Sequence, residues 1–456
     1  MGANPRCPTR LPAWRNTLND KVTAYPVMEK LVALCKRRGF IYPSSEIYGG
    51  LSGCYDYGPL GVELKNNLKA CWWRAMTCHH DNIEGLDTSI LMHPRVWEAS
   101  GHAVGFTEPL VECRKCRQRF RADSAAATVC PQCGGGLTEP RRFNLMLKTF
   151  MGASDSPASP VYLRPELAPG MFVNFLNVLN SSRQKLPFGI AQIGKTFRNE
   201  ITPGNFILRS REFEQMAMQF FVVPGSAGEW LERWRTERMA WHQAIGIRAE
   251  KLRWQPHRPE ELPHYAAAAF DVQYEFPFGW QEIEGVHQRT DFDLARHQEY
   301  AGKRLTYYDE ERKAHLVPHV IETAAGCDRT LLSALVDAYR EEPAGDEMRV
   351  VLRLSPKIAP VKAAVLPLVR KDGLPEIAHA ITQDLMRWFR VEYDETASVG
   401  KRYRRQDEIG TPYCITVDAE TRVNQTVTVR DRDTMQQERV AAGQLRFWLD
   451  DRIRFD

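Results

Sequence analysis

Apolar positions along the chain change their period at several points, and those changes mark out the elements. Over YPVMEKLVALCKRR (25–38) they recur every three or four residues and stop at Gly39, which predicts an amphipathic helix. A second helix is predicted after Pro59. Within GVELKNNLKACWWRAM, the residues Leu64, Leu68, Cys71, Trp72 and Met76 fall on one face. That face either docks on the core of its own chain or meets a second subunit, since Trp72 and Trp73 cannot point the same way on a helix. From about residue 143 to 338 short strand-like runs dominate: NLMLKTF, FGIAQIGKTF, QMAMQFFVV, FDVQYEF and LVPHVIE. A helical piece around 228–245 interrupts them, and the helix LLSALVDAYREE closes the series. Such an order predicts a largely antiparallel sheet flanked by helices. REEPAGDE (340–347) has the composition of a linker. Beyond it VVLRLSP, AAVLPLV, a helix over 375–390, VEYDE, YCITVD and QTVTVRDRD alternate strand and helix, as in a separate α/β domain.

The chain is therefore expected to be α+β, with a flexible, mildly basic lead-in at 1–24 and a first domain at 25–340. A cysteine-bearing insert at 111–139 lies within that domain. A linker at 341–348 and a C-terminal domain at 349–456 complete the division. A formal net charge of +4 is too small for a protein that coats nucleic acid, yet compatible with docking on local patches. No run of about 18 apolar residues is present, so no membrane span is expected. The N-terminus has no apolar core of a secretory signal, and a cytoplasmic location follows as the expectation. Four of the eleven cysteines form two CxxC pairs and the rest are scattered, which suits a reducing compartment with one metal site.

Cys113 and Cys116, then Cys130 and Cys133 followed by three glycines, have the spacing of a two-knuckle zinc ribbon. Four thiolates fill a tetrahedral shell, which implies a structural Zn²⁺ rather than a catalytic one.

Three other stretches carry candidate chemistry. Phe197-Arg198-Asn199-Glu200 ends one strand-like run, and Arg209-Ser210-Arg211-Glu212-Phe213 opens the next. Glu282-Ile283-Glu284-Gly285 places two carboxylates with strand alternation, and Arg289-Thr290-Asp291 follows. Glu322 ends a strand shortly before Gly326-Cys327-Asp328-Arg329 opens a helix. Each stretch alone is compatible with a salt-bridged surface. Together they supply what nucleotidyl transfer needs: arginines for phosphate charge, carboxylates to hold Mg²⁺, and an aromatic with an arginine plane to sandwich a base.

The chain resembles the dimeric type of glycyl-tRNA synthetase from about Tyr25 to the C-terminus. The resemblance runs in order through SSEIYGGLSGCYDYGPLGVELKNN, VWEASGH, the two cysteine knuckles, FNLMLKT, YLRPE, GKTFRNEITP and REFEQM. It continues through HYAAAAFDVQYEFPFGWQEIEG, RTDFDLARH, PHVIE, APVKAAVLPL, RYRRQDEIGTPYC and TVTVRDRDTMQQERV. It implies a class II catalytic domain, a C-terminal anticodon-binding-like domain, and a homodimer whose interface is built around Pro59 and the following helix. Arg198, Glu200 and Arg329 would be catalytic, with Arg198 on the α-phosphate and Arg329 over the base. ATP would lie among those three and Asn199, Leu208, Arg209, Arg211, Phe213, Glu282, Ile283 and Gly326. Glu322 and Glu282 would hold Mg²⁺ through ATP. Glu166 would receive the substrate ammonium, with Arg121, Phe213, Gln215, Ala217, Glu284, Glu322 and Ala324 around the amino acid. Lys401, Arg402, Arg404 and Arg405 would contact tRNA.

The departures from the family pattern cluster in the amino-acid pocket. Where the family reads REFEQMEIE, this chain has Ala217 at the position of an acid aimed at the glycine ammonium. The serine of the family's EPSxG is Ala324, RPETAQG becomes Arg164-Pro165-Glu166-Leu167-Ala168-Pro169-Gly170, and a small residue after EIEG(I/V) is His287. Two alanines in place of a carboxylate and a hydroxyl predict a roomier, less acidic pocket. Three functions remain open on the sequence. They are activation of glycine and its transfer to tRNA(Gly); activation of a glycine analogue or another small amino acid for a dedicated pathway, with or without tRNA; and an idle relative that binds tRNA or protein.

Overall fold

The computed structural model describes residues 25–122, 129–152, 160–345 and 347–455. The lead-in expected at 1–24 lies outside the described residues. Helix α1 (Pro26–Arg38) and helix α2 (Pro59–Thr77) form where the apolar period predicts them, and each carries a proline in its first turn. Proline is favoured there because its fixed φ suits the helix and its missing N–H has no partner to lose.

The face of α2 that carries Leu64, Leu68, Trp72 and Met76 is no more than 1% exposed. It is docked on the chain's own core, together with α1 and the central sheet.

That sheet has seven strands: β1 (Ile83–Gly85), β2 (Phe188–Phe197), β3 (Glu212–Val222), β4 (Leu252–Pro256), β5 (Ala268–Phe276), β6 (Gly279–Thr290) and β7 (His319–Gly326). Their order is β4-β5-β6-β7-β3-β2-β1, antiparallel throughout except for the short parallel edge strand β1. Helix α3 (Ala227–Ala244) and helix α4 (Cys327–Ala338) cover one face with α2. Met216, Met218, Phe220 and Val222 of β3 point into that layer, at the alternation a strand imposes. The other face carries polar residues at its centre, and a smaller apolar cluster around Phe172, Phe175, Phe188 and Phe221 closes one end. A polar band in the middle of a covered sheet is costly unless it serves a site.

Two expectations are corrected. NLMLKTF is not a strand of the central sheet: its ends belong to two small sheets, with Arg141–Asn144 against Thr107–Glu112 and Lys148–Phe150 against Pro160–Tyr162. REEPAGDE is not a linker but lies in a hairpin, in which β8 (Tyr339–Ala344) pairs with β9 (Glu347–Leu352). Pro and Gly mark its tip rather than a break between domains.

The C-terminal domain is a five-stranded sheet of β10 (Ala363–Pro367), β11 (Val391–Tyr393), β12 (Tyr413–Val417), β13 (Thr426–Asp431) and β14 (Gln437–Ala441), in the order β11-β10-β12-β13-β14. Helices α5 (Leu374–Leu385), α6 (Val399–Ile409) and α7 (Leu445–Ile453) flank it. Asp407 of α6 ties it to the hairpin, accepting from Arg349 Nη1 and Arg430 Nη1 at 2.9 Å each. No described helix is long and apolar enough to cross a membrane.

Candidate active site

The polar face of the sheet is laid out in rows, because antiparallel pairing sets residues of neighbouring strands side by side. One row runs Gln192, Ala217, Ala324, Gly285, Asp271, and the next runs Ile190, Gln219, Glu322, His287, Ala269. On the other side of the first row come Gly194, Gln215 and Gly326. The chemistry divides along this axis.

At the Gly326 end lies a cleft lined by Arg198, Glu200, Leu208, Arg209, Phe213, Gln215, Glu282, Ala324, Gly326 and Arg329. The segment that follows β2 delivers Arg198 and Glu200, β3 delivers Phe213, and the start of α4 delivers Arg329. The Arg198 guanidinium lies 5.4 Å from the Phe213 ring centroid, and its Nε donates to the Pro165 carbonyl at 3.1 Å. Arg329 donates through Nε to the Leu208 carbonyl at 3.2 Å and pairs with Glu282 at 3.1 Å. A Cβ at Gly326 would sit 3.2 Å from Arg329 Cδ, so glycine leaves the room in which that side chain folds back over the cleft. Buried Asp328 fixes the start of α4: it accepts from Lys65 Nζ at 2.8 Å and from the Glu214 N–H at 2.7 Å. Three guanidiniums, two carboxylates and an aromatic face in one cleft match a nucleoside triphosphate.

At the other end the groups suit a small ammonium-bearing molecule. Glu322 accepts from Gln219 Nε2 at 2.7 Å through one oxygen, and from Arg289 Nη1 at 2.9 Å through the other. Burial would raise its pKa, but Arg289 first, then His287 and Gln219, hold it well below the usual carboxylate range. Glu166 Oε1 is buried without a hydrogen bond, 3.4 Å from His102 Nε2. Burial opposes its charge too, and His102 and Arg289 outweigh that and keep it lowered. Arg289 is itself pinned by Asp293, at 2.8 and 2.9 Å, and lies 3.8 Å from the centroid of the Tyr265 ring. Burial would push the His287 imidazole down, yet the nearby carboxylates of Asp271 and Glu322 lift it to about 9.

Several expected contacts fall elsewhere. Glu284 does not face the amino acid. A bulge at Ile283 resets the strand alternation, so Glu282 faces the cleft while Glu284 turns to the opposite side of the sheet. There Glu284 is fully buried against α3, 2.6 Å from Arg238 Nε and 2.7 Å from His242 Nε2. The Ile283 side chain is in the main core, so only its backbone is near the cleft. Glu322 stands at the other end with both oxygens engaged, whereas Glu282 lines the cleft. Arg211 spends its guanidinium on the carbonyls of Ser52 and Glu200, at 2.6 and 3.0 Å. Asn199 is held through its N–H to the Leu145 carbonyl, at 2.7 Å, and does not line the cleft. Arg121 donates to Glu108 at 2.6 Å, and Glu108 also lies 3.5 Å from Arg209, so Arg121 reaches the site through a carboxylate.

Four groups at the amino-acid end are absent from the residues expected there: His102, Gln219, Tyr265 and Asp271. Gln219 was readable, since it stands two and four residues beyond Ala217 and Gln215 on one strand face. His102 and Tyr265 come from distant loops that no local pattern joins.

The Sγ atoms of Cys113, Cys116, Cys130 and Cys133 all lie within 4.8 Å of one another. Two of the separations are 3.5 and 3.6 Å, close to the ~3.8 Å edge of a tetrahedron with Zn–S bonds of about 2.3 Å. On α6, Arg402 is buried and donates to the Pro367 carbonyl at 2.5 Å, so it is a structural residue and not a surface for tRNA. Arg404 pairs with Glu347 and Arg405 with Asp394, and Lys401 is exposed.

Comparison with known proteins agrees with this geometry. Residues 153–339 match the tRNA synthetase class II core domain (G, H, P, S and T), and residues 362–452 match an anticodon binding domain. The chain is 54% identical to a glycine--tRNA ligase of Treponema denticola, covering 92% of this chain and 95% of that protein. It is 51% identical to one of Chlorobaculum tepidum (91% and 97%) and 49% identical to one of Caldanaerobacter subterraneus (94% and 99%). An ATP-shaped cleft on an antiparallel sheet, a small acidic subsite beside it and relatedness along nearly the whole chain all lead to one assignment: the chain belongs to the glycine--tRNA ligase family of class II aminoacyl-tRNA synthetases.

Proposed function

We propose that this chain condenses glycine with ATP to form glycyl-adenylate and pyrophosphate, then transfers the glycyl group to the 3′ end of tRNA(Gly). The observation that carries the reading is the meeting of Arg198, Glu200, Phe213 and Arg329 in one cleft, next to the buried free oxygen of Glu166.

Glycine enters with its ammonium on Glu166, whose Oε1 makes no hydrogen bond although His102 Nε2 lies 3.4 Å away, and its carboxylate toward the cleft. A carboxylate oxygen attacks the α-phosphorus as the bond to the pyrophosphate oxygen breaks. Arg198 takes up charge on the α-phosphate, and Phe213 and Arg329 hold the adenine between them. Mg²⁺, with Glu282 beside it, would neutralise the leaving pyrophosphate. In the second step a ribose hydroxyl of tRNA attacks the glycyl carbonyl and AMP leaves. No side chain forms a covalent intermediate.

The four cysteine sulfurs fit a structural Zn²⁺, and metal analysis is expected to find one zinc per chain. Exposed Lys401 and Arg404 are the direct tRNA contacts on α6. Ile47 and Tyr48, 88% and 86% exposed just ahead of α2, fit the interface of a homodimer. Its mass by light scattering would be twice 52.3 kDa. The place of action is the cytoplasm, in keeping with ten described cysteines that are free of disulfides.

The test is ATP–pyrophosphate exchange with glycine, alanine and serine, followed by charging of a tRNA(Gly) transcript. Exchange driven by glycine well above the other two is the expected result. Exchange driven only by another amino acid, or by none, overturns the reading.

A further inference from the structure

We infer that the imidazole of His287 is the group that keeps amino acids larger than glycine out of this pocket, a role that rests on the glycine reading above. The floor of the amino-acid end is the row Ala217, Ala324, Gly285, which offers two methyl groups and a hydrogen. A floor this bare leaves space over it for a substrate side chain. Exclusion works only where that space is filled, because contact with one methylene discriminates by no more than about 10–200-fold.

His287 fills it. It stands two residues beyond Gly285 on the same face of β6, and its ring folds back along the strand rather than standing away from it. A Cβ at Gly285 would lie 2.8 Å from His287 Nε2 and 3.1 Å from its Cε1, so the ring occupies the volume above the glycine. The ring is anchored through Nδ1, while Nε2 is buried without a hydrogen bond and faces Asp271. Nδ1 lies 3.2 Å from Glu322 Oε2, and Nε2 lies 4.0 Å from Asp271 Oδ1. Asp271 is in turn held by His257 Nε2 at 2.9 Å. The other charged groups facing this cluster are Arg289 and Glu166, and Gln219 bonds to Glu322. The ring engages Glu322 through Nδ1, and Glu166 is the acid whose Oε1 makes no hydrogen bond. His287 is thus a specificity-determining residue, with Asp271 and His257 as its positioning residues.

The experiment measures kcat/KM for glycine and for alanine by pyrophosphate exchange in the full-length wild type, His287→Ala, His287→Asn and His287→Gln. Both shorter side chains are expected to raise the alanine-to-glycine ratio by about 10-fold or more. His287→Gln, which restores length without charge, is expected to keep the ratio within about three-fold of wild type, less than 1 kcal/mol. His287→Asn retains an amide beside Glu322 and decides the matter if the alanine variant does not fold. An unchanged ratio in the shortened variants overturns the inference while leaving the glycine reading intact. A wild type that shows no glycine-dependent exchange overturns that reading, and the inference with it.

Discussion

Alanine in place of Arg198 is expected to lower glycine-dependent pyrophosphate exchange by about 10³-fold at saturating substrates, with little change in stability. The rate effect is large because the α-phosphate gains charge only as the attack proceeds, so a fixed guanidinium there acts on the transition state more than on bound ATP. The structure shows how it is fixed. Its Nε donates to the Pro165 carbonyl at 3.1 Å, and the guanidinium carbon lies 5.3 and 5.4 Å from the ring centroids of Phe106 and Phe213. One carbonyl bond and two ring contacts are a small share of the fold, so the melting temperature should move by only a few degrees. Lysine is not expected to restore the rate, because an ammonium lacks the planar fork that bridges two phosphate oxygens. Exchange that stays within ten-fold of wild type in a folded Arg198→Ala protein would place the α-phosphate elsewhere and undo the mechanism.

What the sequence made legible follows from the range over which each signal acts. The α2 face, the strands FGIAQIGKTF, QMAMQFFVV, FDVQYEF and PHVIE, and the α/β pattern after residue 349 are local periodicities, and the folded chain uses them as such. The arginines at 198, 209 and 329 were readable because motif order ties them to one cleft. The failures share a cause. Glu282 and Glu284 stand two apart, which in an unbroken strand puts both on one face. The bulge at Ile283 is set by pairing with β5, from Val272 to Gln273, and is invisible in the pattern of β6 alone. Arg402 sits in a basic run that looks solvated, but the turn of α6 points this one residue inward onto the carbonyls of Pro367 and Leu368. His287 was visible as a departure, but its direction was not. That depends on Gly285 beneath the ring and on Asp271 from the neighbouring strand.

The same bulge creates the position at which substitution is expected to cost the most stability. Glu284→Ala should destabilise the catalytic domain by about 3–5 kcal/mol, a fall of roughly 10 °C in its melting temperature. The carboxylate is fully buried, accepts from Arg238 Nε at 2.6 Å and meets His242 Nε2 at 2.7 Å. Burial pushes the His242 pKa down, so the ring is neutral and the one buried cation answered by Glu284 is Arg238. Arg238 is 2% exposed, and removing its partner leaves a guanidinium in the core with, among the described residues, the Trp241 ring 4.5 Å away to take its charge. The larger cost is therefore the stranded cation, not the lost bonds. That distinction is measurable. Glu284→Leu combined with Arg238→Met removes both charges, keeps the volume, and should recover most of the stability lost in the single variant. A double variant as unstable as Glu284→Ala would mean that the bonds themselves hold α3 to the sheet. Glycine KM in either folded protein should match wild type, because this carboxylate lies on the side of the sheet away from the substrate. A rise in KM would return Glu284 to the amino-acid pocket and contradict the alternation that the bulge imposes.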